Sequence, residues 1–262
     1  MNELIGYACA ALIGLSLGLI GGGGSILTMP VLVYLFHLSP VTATSYSLFI
    51  VGSTSLVGAA GNLRRHTADL RTAGIFGLAS VVTVLLTRKF LIPRIPGHIA
   101  TIGSIEISFA LLTMVLFALL MFFAALSMIR KPKPEPASHP KSRNWLLGYG
   151  IAVGLVTGFL GAGGGFLLIP ALVLILRMDM KTAVGTSLLI IAMNSIAGFL
   201  GDIGHYSVNW KLLLLITVIA IAGILVGSQL SRKISGARLR KGFGWFVLAM
   251  SAYILIHELT AL

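Results

Sequence analysis

The chain has 262 residues, of which 57% are apolar and only 10% charged, and its long uncharged stretches exclude a water-soluble domain. Its 19 Lys and Arg outnumber 7 Asp and Glu, for a net charge of +12, but they lie between the apolar segments and make no basic helix face, so they report topology rather than a nucleic-acid partner. One cysteine, Cys9, excludes a disulfide framework and any multi-cysteine metal site.

Taken in chain order, the apolar segments cover 4–20, 26–36, 41–61, 73–87 and 107–129, then 145–160, 166–176, 182–201, 212–230 and 243–257. The first of them has no Lys or Arg before it and runs straight into a glycine-rich stretch, so it reads as mature structure rather than a signal peptide. The stretch RKPKPEPASHPKSR, residues 130–143, cannot be a buried helix, because Pro132, Pro134, Pro136 and Pro140 interrupt it and its charges oppose burial. The expected organisation is a first transmembrane repeat over 1–129, a basic cytoplasmic linker over 130–143 and a second transmembrane repeat over 144–262. The fold class expected is all-α, a polytopic membrane protein of two inverted repeats.

The repeats are visible residue by residue. GLSLGLIGGGGSILTMPVLV from Gly14 matches GLVTGFLGAGGGFLLIPALV from Gly154 at a constant offset of 140, and the match continues without a gap through residues 61 and 201. Segments 26–36 and 166–176 are too short to cross roughly 30 Å of hydrocarbon, which needs about 20 helical residues. Each follows a run of glycines, which disfavours helix by about 1 kcal/mol per residue relative to alanine. A broken or re-entrant helix pair is therefore expected in each repeat, with Pro30 and Pro170 near the restart.

Counting cations orients the chain. If each repeat changes sides an odd number of times, a cytoplasmic linker places Arg64, Arg65, Arg71, Arg130, Lys131, Lys133, Lys141, Arg143, Arg177, Lys181, Arg232, Lys233, Arg238, Arg240 and Lys241 inside. Only Arg88, Lys89, Arg94 and Lys211 are then left outside. An even number of crossings would split the cations almost equally, so the expectation is inverted repeats with both termini outside.

Paired repeats with interrupted hydrophobic segments point to a transporter whose site lies between its halves. Glycine lets a ligand approach main-chain N–H groups, and the helix start that follows presents unsatisfied donors and the positive end of its dipole. The candidate substrate-binding residues are thus Gly21, Gly22, Gly23, Gly24 and Ser25 in the first break and Gly161, Gly163, Gly164 and Gly165 in the second. Thr44, Ser45 and Ser47 on the third segment, with Thr186, Ser187 and Asn194 on its partner, supply hydroxyls and an amide suited to sulfite, sulfonate or carboxylate oxygens.

Plainer readings accompany these. Gly14/Gly18 and Gly154/Gly158 have the small-xxx-small spacing of close helix packing, membrane hydroxyls often bond back to their own helix, and an interhelical bond would satisfy Asn194. Neither glycine run is followed by the Lys-Ser/Thr of a phosphate loop. Glu106, Asp202, His66, His205, His257 and Glu258 lie near segment ends, where interfacial placement is expected. Trp145, Trp210 and Trp245 fit an interfacial belt. No nucleophile-and-base pair or metal cluster stands out, so an enzyme, a cofactor and a metal are not expected. A channel-like anion pathway would use the same backbone without saturation. Moving one negative charge out of an inside-negative cell releases about 2.3 kcal/mol per 100 mV, which leans towards export. The expected partners are a small anion and the lipid bilayer, and the sequence leaves a homodimer open.

At GLIGGGGSILTMPVL and GFLGAGGGFLLIPAL, each followed by T-A-x-x-x-S (Thr42, Ala43, Ser47 and Thr182, Ala183, Ser187), the chain resembles the sulfite exporter TauE/SafE family of membrane permeases. The resemblance covers essentially the whole chain. It implies a bacterial-type inner-membrane transporter of sulfite, sulfonates or related small anions.

Overall fold

The computed structural model describes residues 2–22, 25–96, 98–102, 105–130, 143–161, 164–203 and 208–260, so Gly23, Gly24, Gly163, His205 and nearly all of the 130–143 linker lie outside the described residues. Helix α1 (Asn2–Ile20) ends where Gly21 adopts a φ of 77°, and a short α2 (Ser25–Pro30) starts afresh beyond it. Pro30 has no N–H for the carbonyl of Ile26, and the chain continues as a widened, π-type turn over Val31–Leu35. Helix α3 (Pro40–Leu63) starts from Ser39, whose hydroxyl accepts the Thr42 N–H at 3.3 Å, with proline at its first position. Helix α4 (Leu70–Leu86) starts from Asp69, which accepts the N–H groups of Arg71 and Thr72, and a second wide turn, Thr87–Leu91, extends it. Two short antiparallel strands, β1 (His98–Ile102) and β2 (Ile105–Ser108), connect it to α5 (Phe109–Ile129). This hairpin is a departure from the purely helical expectation, confined to a connection.

The second half follows the same plan: α6 (Arg143–Leu160), α7 (Gly165–Pro170) continuing as a wide turn over Ala171–Ile175, α8 (Met180–Asp202), α9 (Trp210–Leu230) and α10 (Gly236–Thr260). The offset of 140 carries into the structure at the starts of α2 and α7, of α3 and α8, and of α4 and α9. It also relates the capping residues Ser39 and Asp179, and Asp69 and Asn209.

Packing repeats under the same offset. Helix α1 lies along α9 and α6 along α4, while α3 packs on α8 and α5 on α10. The small-xxx-small glycines are at these crossings. Gly14 and Gly18 press on the α9 backbone at Ala220 and Ile224, and a Cβ on Gly154 would stand 2.6 Å from the Ser80 carbonyl oxygen of α4. With water-driven association absent in lipid, such backbone proximity is what holds helices together. Helices α3 and α8 form the centre: 72% and 78% of their most apolar stretches are buried, against 39% for those of α4, α5 and α9. Leu78, Phe123, Val218 and Ile256 point outward from the surrounding helices. Among the described residues five helical stretches are long and apolar enough to cross a membrane: Pro40–Leu63, Leu70–Arg94, Leu111–Ile129, Met180–Asp202 and Trp210–Leu230.

Candidate functional site

The two glycine segments meet in the interior. Gly22 and Gly165 lie backbone to backbone, and a Cβ on either would overlap the other's main chain. Gly21, with its positive φ, lets the chain leave α1 against the first turns of α8, where a Cβ would come 2.8 Å from the Ser187 hydroxyl and 3.1 Å from Val184 Cα. Gly161, at φ 65°, turns the end of α6 against Thr44 and Arg88. The end of each first helix thus abuts the start of the other half's central helix. Gly164 caps α7 in the left-handed region and faces Thr157.

The candidate hydroxyls are all buried, but several have local partners. Ser25 donates to the Gly22 carbonyl at 2.7 Å, Thr44 to Val41 at 2.7 Å and Ser187 to Val184 at 2.9 Å. These bonds answer the cost of burying a hydroxyl and leave the oxygen lone pairs for a second partner. Thr186 accepts the Asp69 N–H at 2.9 Å and so ties α8 to the α3–α4 connection. Ser45 is buried near the start of α3. Asn194 donates to the Ser80 hydroxyl of α4 at 2.7 Å, an interhelical bond, while its Oδ1 has no hydrogen-bond partner among the described residues. The same holds for the Ser47, Ser55, Ser195 and Thr157 hydroxyls. Buried polar atoms without partners are rare, and here four of these five lie on the central helices α3 and α8, with Thr157 on α6.

A cleft of roughly 240 Å3 opens beside the first break, lined by Gly18, Leu19, Asn62, Arg65, Thr67, Met180, Lys181, Val184, Ser228 and Ser231. Val184 lines it and also touches Gly21, so the cleft ends against the glycine segment. Arg65 and Lys181 are exposed at its walls, and Asn62, Thr67, Ser228 and Ser231 supply polar groups. Two cations with several donors, and no acidic side chain in the lining, make a recess suited to an anion.

Asp202 stands at the last residue of α8, at a segment end as expected, but is enclosed by the protein. It is 4% exposed and accepts from Arg88 Nη1 at 3.0 Å, with Arg88, 1% exposed, also donating to Thr44 Oγ1 at 3.1 Å. Each charge closes an otherwise uncharged segment, and neither could be matched from sequence because they lie 114 residues apart. Burial requires pairing, since an isolated ion in the interior costs several kcal/mol. His66 and His257 are exposed, whereas Glu258 is partly buried and accepts from the Tyr34 hydroxyl at 2.7 Å. Among the described residues no group of three or more His, Cys, Asp or Glu gathers as a metal site.

A family model described as "Sulfite exporter TauE/SafE" matches residues 6–254. Two relatives extend over most of the chain and a third over part of it. A Xylella fastidiosa protein described as "Probable membrane transporter protein" is 30% identical over 260 residues, covering 96% of this chain and 94% of the relative. The Bacillus subtilis "Probable membrane transporter protein YunE" is 27% identical over 245 residues, covering 82% and 83%. A third, "Probable membrane transporter protein MJ0441" of Methanocaldococcus jannaschii, is 33% identical over 111 residues, 40% of this chain and 42% of the relative.

Proposed function

This chain belongs to the TauE/SafE family and is a multi-pass membrane transporter, and on that premise we propose that it moves small oxyanions, sulfite or organosulfonates, outward across a bacterial-type inner membrane. The observation that carries this reading is the basic cleft ending on the glycine segment: Arg65 and Lys181 attract an anion, and Gly21 and Gly22 offer a route past α8 without a bulky side chain. Beyond it, the substrate site is formed where the two glycine segments touch, with Gly21, Gly22, Ser25, Gly161, Gly164 and Gly165 among the described residues, and it takes in Gly23, Gly24 and Gly163, which lie outside them. Thr44, Ser45, Ser47, Thr186, Ser187 and Asn194 on α3 and α8 complete it.

The halves 1–129 and 144–262 are inverted repeats, each with a broken helix pair, and the linker 130–143 is cytoplasmic with both termini outside. In support, α1 ends beside the start of α8 on the side of the α3–α4 connection, whereas α6 ends beside the start of α3 on the side of the wide turn after α4. These are opposite ends of α4, whose 17 residues span about 25 Å at 1.5 Å per residue. The cleft with Arg65 and Lys181 then faces the cytoplasm, in accord with the excess of cations inside.

The test is sulfite flux in proteoliposomes under an imposed potential, with sulfate and a small sulfonate as competitors. Saturable flux driven by an inside-negative potential in the outward direction is expected. Flux that grows linearly with concentration would instead describe a channel, and no flux of any of the three anions from folded protein would overturn the substrate class.

A further inference from the structure

Four positions that line the cleft have counterparts at the other end of the bundle, and there two of them carry a buried ion pair. Adding 140 to Gly18 and Asn62 gives Gly158 and Asp202; subtracting it from Val184 and Ser228 gives Thr44 and Arg88. The same four positions therefore carry no charge where they line the open cleft, and include a closed ion pair at the other end. Packing agrees. A Cβ on Gly61 would meet nothing within 4 Å, whereas a Cβ on its counterpart Gly201 would stand 3.0 Å from Arg88 Cβ. The Arg88–Asp202 contact joins the wide turn after α4 to the last residue of α8, and Thr44 and Gly161 close over it from α3 and α6.

We propose that Arg88 is an anion-binding group of the pathway at this end, and that the Asp202 carboxylate occupies it in place of the transported oxyanion while this end is closed; the proposal rests on the transport reading above. The chemistry is that of competition. A guanidinium presents paired N–H donors that suit a carboxylate, a sulfite or a sulfonate alike, and only one can hold the same face. Asp202 is tethered to α8, so its carboxylate is present at high effective concentration and the closed pair persists without substrate. When α4 and α8 part, the guanidinium is uncovered beside Thr44 and Gly161, the residues that correspond to Val184 and Gly21 at the open cleft. A cation held in this way draws an anion through the bundle yet is neutralised when not in use. A pair that served only to fasten α4 to α8 would need no alignment with the cleft positions and no contact with the glycine break.

The test uses full-length protein with Cys9→Ala and Thr44→Cys, reconstituted in liposomes, and reads the rate at which a membrane-impermeant thiol reagent labels position 44 from the face opposite the linker. With Asp202 present, labelling is expected to be slow. Asp202→Asn, which copies the residue at the counterpart position 62, is expected to speed it by about tenfold or more as the open population rises. Sulfate or methanesulfonate should then slow it again. The double variant Arg88→Ser with Asp202→Asn copies both counterpart residues and leaves no lone buried charge, so it tests the idea even if the single variant folds poorly. It should label fast and show no protection by either anion. Labelling that is indifferent to Asp202, or rapid labelling that neither anion slows while Arg88 is present, overturns the proposal. Because labelling needs no transported substrate, this labelling pattern in the Cys9→Ala/Thr44→Cys background, together with no sulfite flux by wild-type protein, would refute the substrate assignment and leave Arg88 as the anion group.

Discussion

Gly22 and Gly165 lie so close that any side chain on either has nowhere to go but into the other's main chain. Overpacking of this sort costs about 1–3 kcal/mol where the surroundings yield and more where they are backbone. Gly22→Val is therefore expected to abolish anion flux in proteoliposomes while the protein still inserts and elutes as a single species, because the distortion falls on the pathway rather than on the outer helices. Gly74→Ala is the matched control: it sits exposed on α4 with nothing within 4 Å of its would-be Cβ, and loses the helix penalty of glycine, about 1 kcal/mol. Its flux should be unchanged and its melting temperature in detergent equal or slightly raised. Sequence marked these glycines as exceptional because runs of them exceed what packing requires. It could not say that Gly22 faces Gly165 and Gly21 faces Ser187, since those contacts span the two halves.

Helix starts rest on local chemistry. Ser39 and Asp179 cap α3 and α8 at equivalent places, each accepting the N–H three residues on, a bond formed by neighbours in sequence and so independent of tertiary packing. The Asp179 carboxyl is held below its ordinary range, first by the hydrogen bond from the Thr182 hydroxyl and then by that from the Thr182 backbone N–H, with partial burial opposing. A folded pKa below the unfolded one means the ionised cap stabilises the protein at neutral pH. That contribution begins to fade below about 3.9, the unfolded Asp value, and is lost as pH falls through the folded pKa. Asp179→Ala should thus lower the melting temperature at pH 7, by the equivalent of about 1 kcal/mol at most for so exposed a cap, and the gap to wild type should shrink as the pH is taken below that value. A gap that is constant from pH 7 to pH 3 would mean that the carboxylate is not the source of the stabilisation. The wide turns after Pro30 and Pro170 were less legible: proline signalled an interruption, but whether the chain kinks, stops or widens is decided by what packs around it.

Over the whole molecule, charge is distributed unevenly, and one cleft is lined by cations without acidic side chains. Arg65 comes from the α3–α4 connection and Lys181 from the start of α8, and folding sets them on one cleft with no acidic residue in its lining. Exposed charges act over about 8 Å at physiological ionic strength, so they raise the local anion concentration more than they hold any one anion. Arg65→Gln with Lys181→Gln is expected to raise the KM for sulfite at the cleft face several-fold at low salt with little change in maximal flux, and the difference should narrow as salt is added. A KM shift that persists at high salt would mean direct coordination instead. In the sequence these two cations counted only towards orientation, because a positive residue in a loop looks the same whether it faces headgroups or a cleft.

The sequence by itself determined the class, the constant offset of 140 and the apolar segments that fold as helices among the described residues, because each rests on composition or on patterns along the chain: apolar runs of membrane length and a repeat at fixed spacing. Tertiary structure alone decided that α3 and α8 form the centre, that one end of the bundle holds an open cleft, and that the equivalent place at the other end is closed by Arg88 and Asp202. The two halves share a pattern, so sequence reports them as alike. Which of two near-equivalent recesses is open depends on contacts between residues more than a hundred positions apart, and a buried charge is stable only beside the partner that folding brings to it.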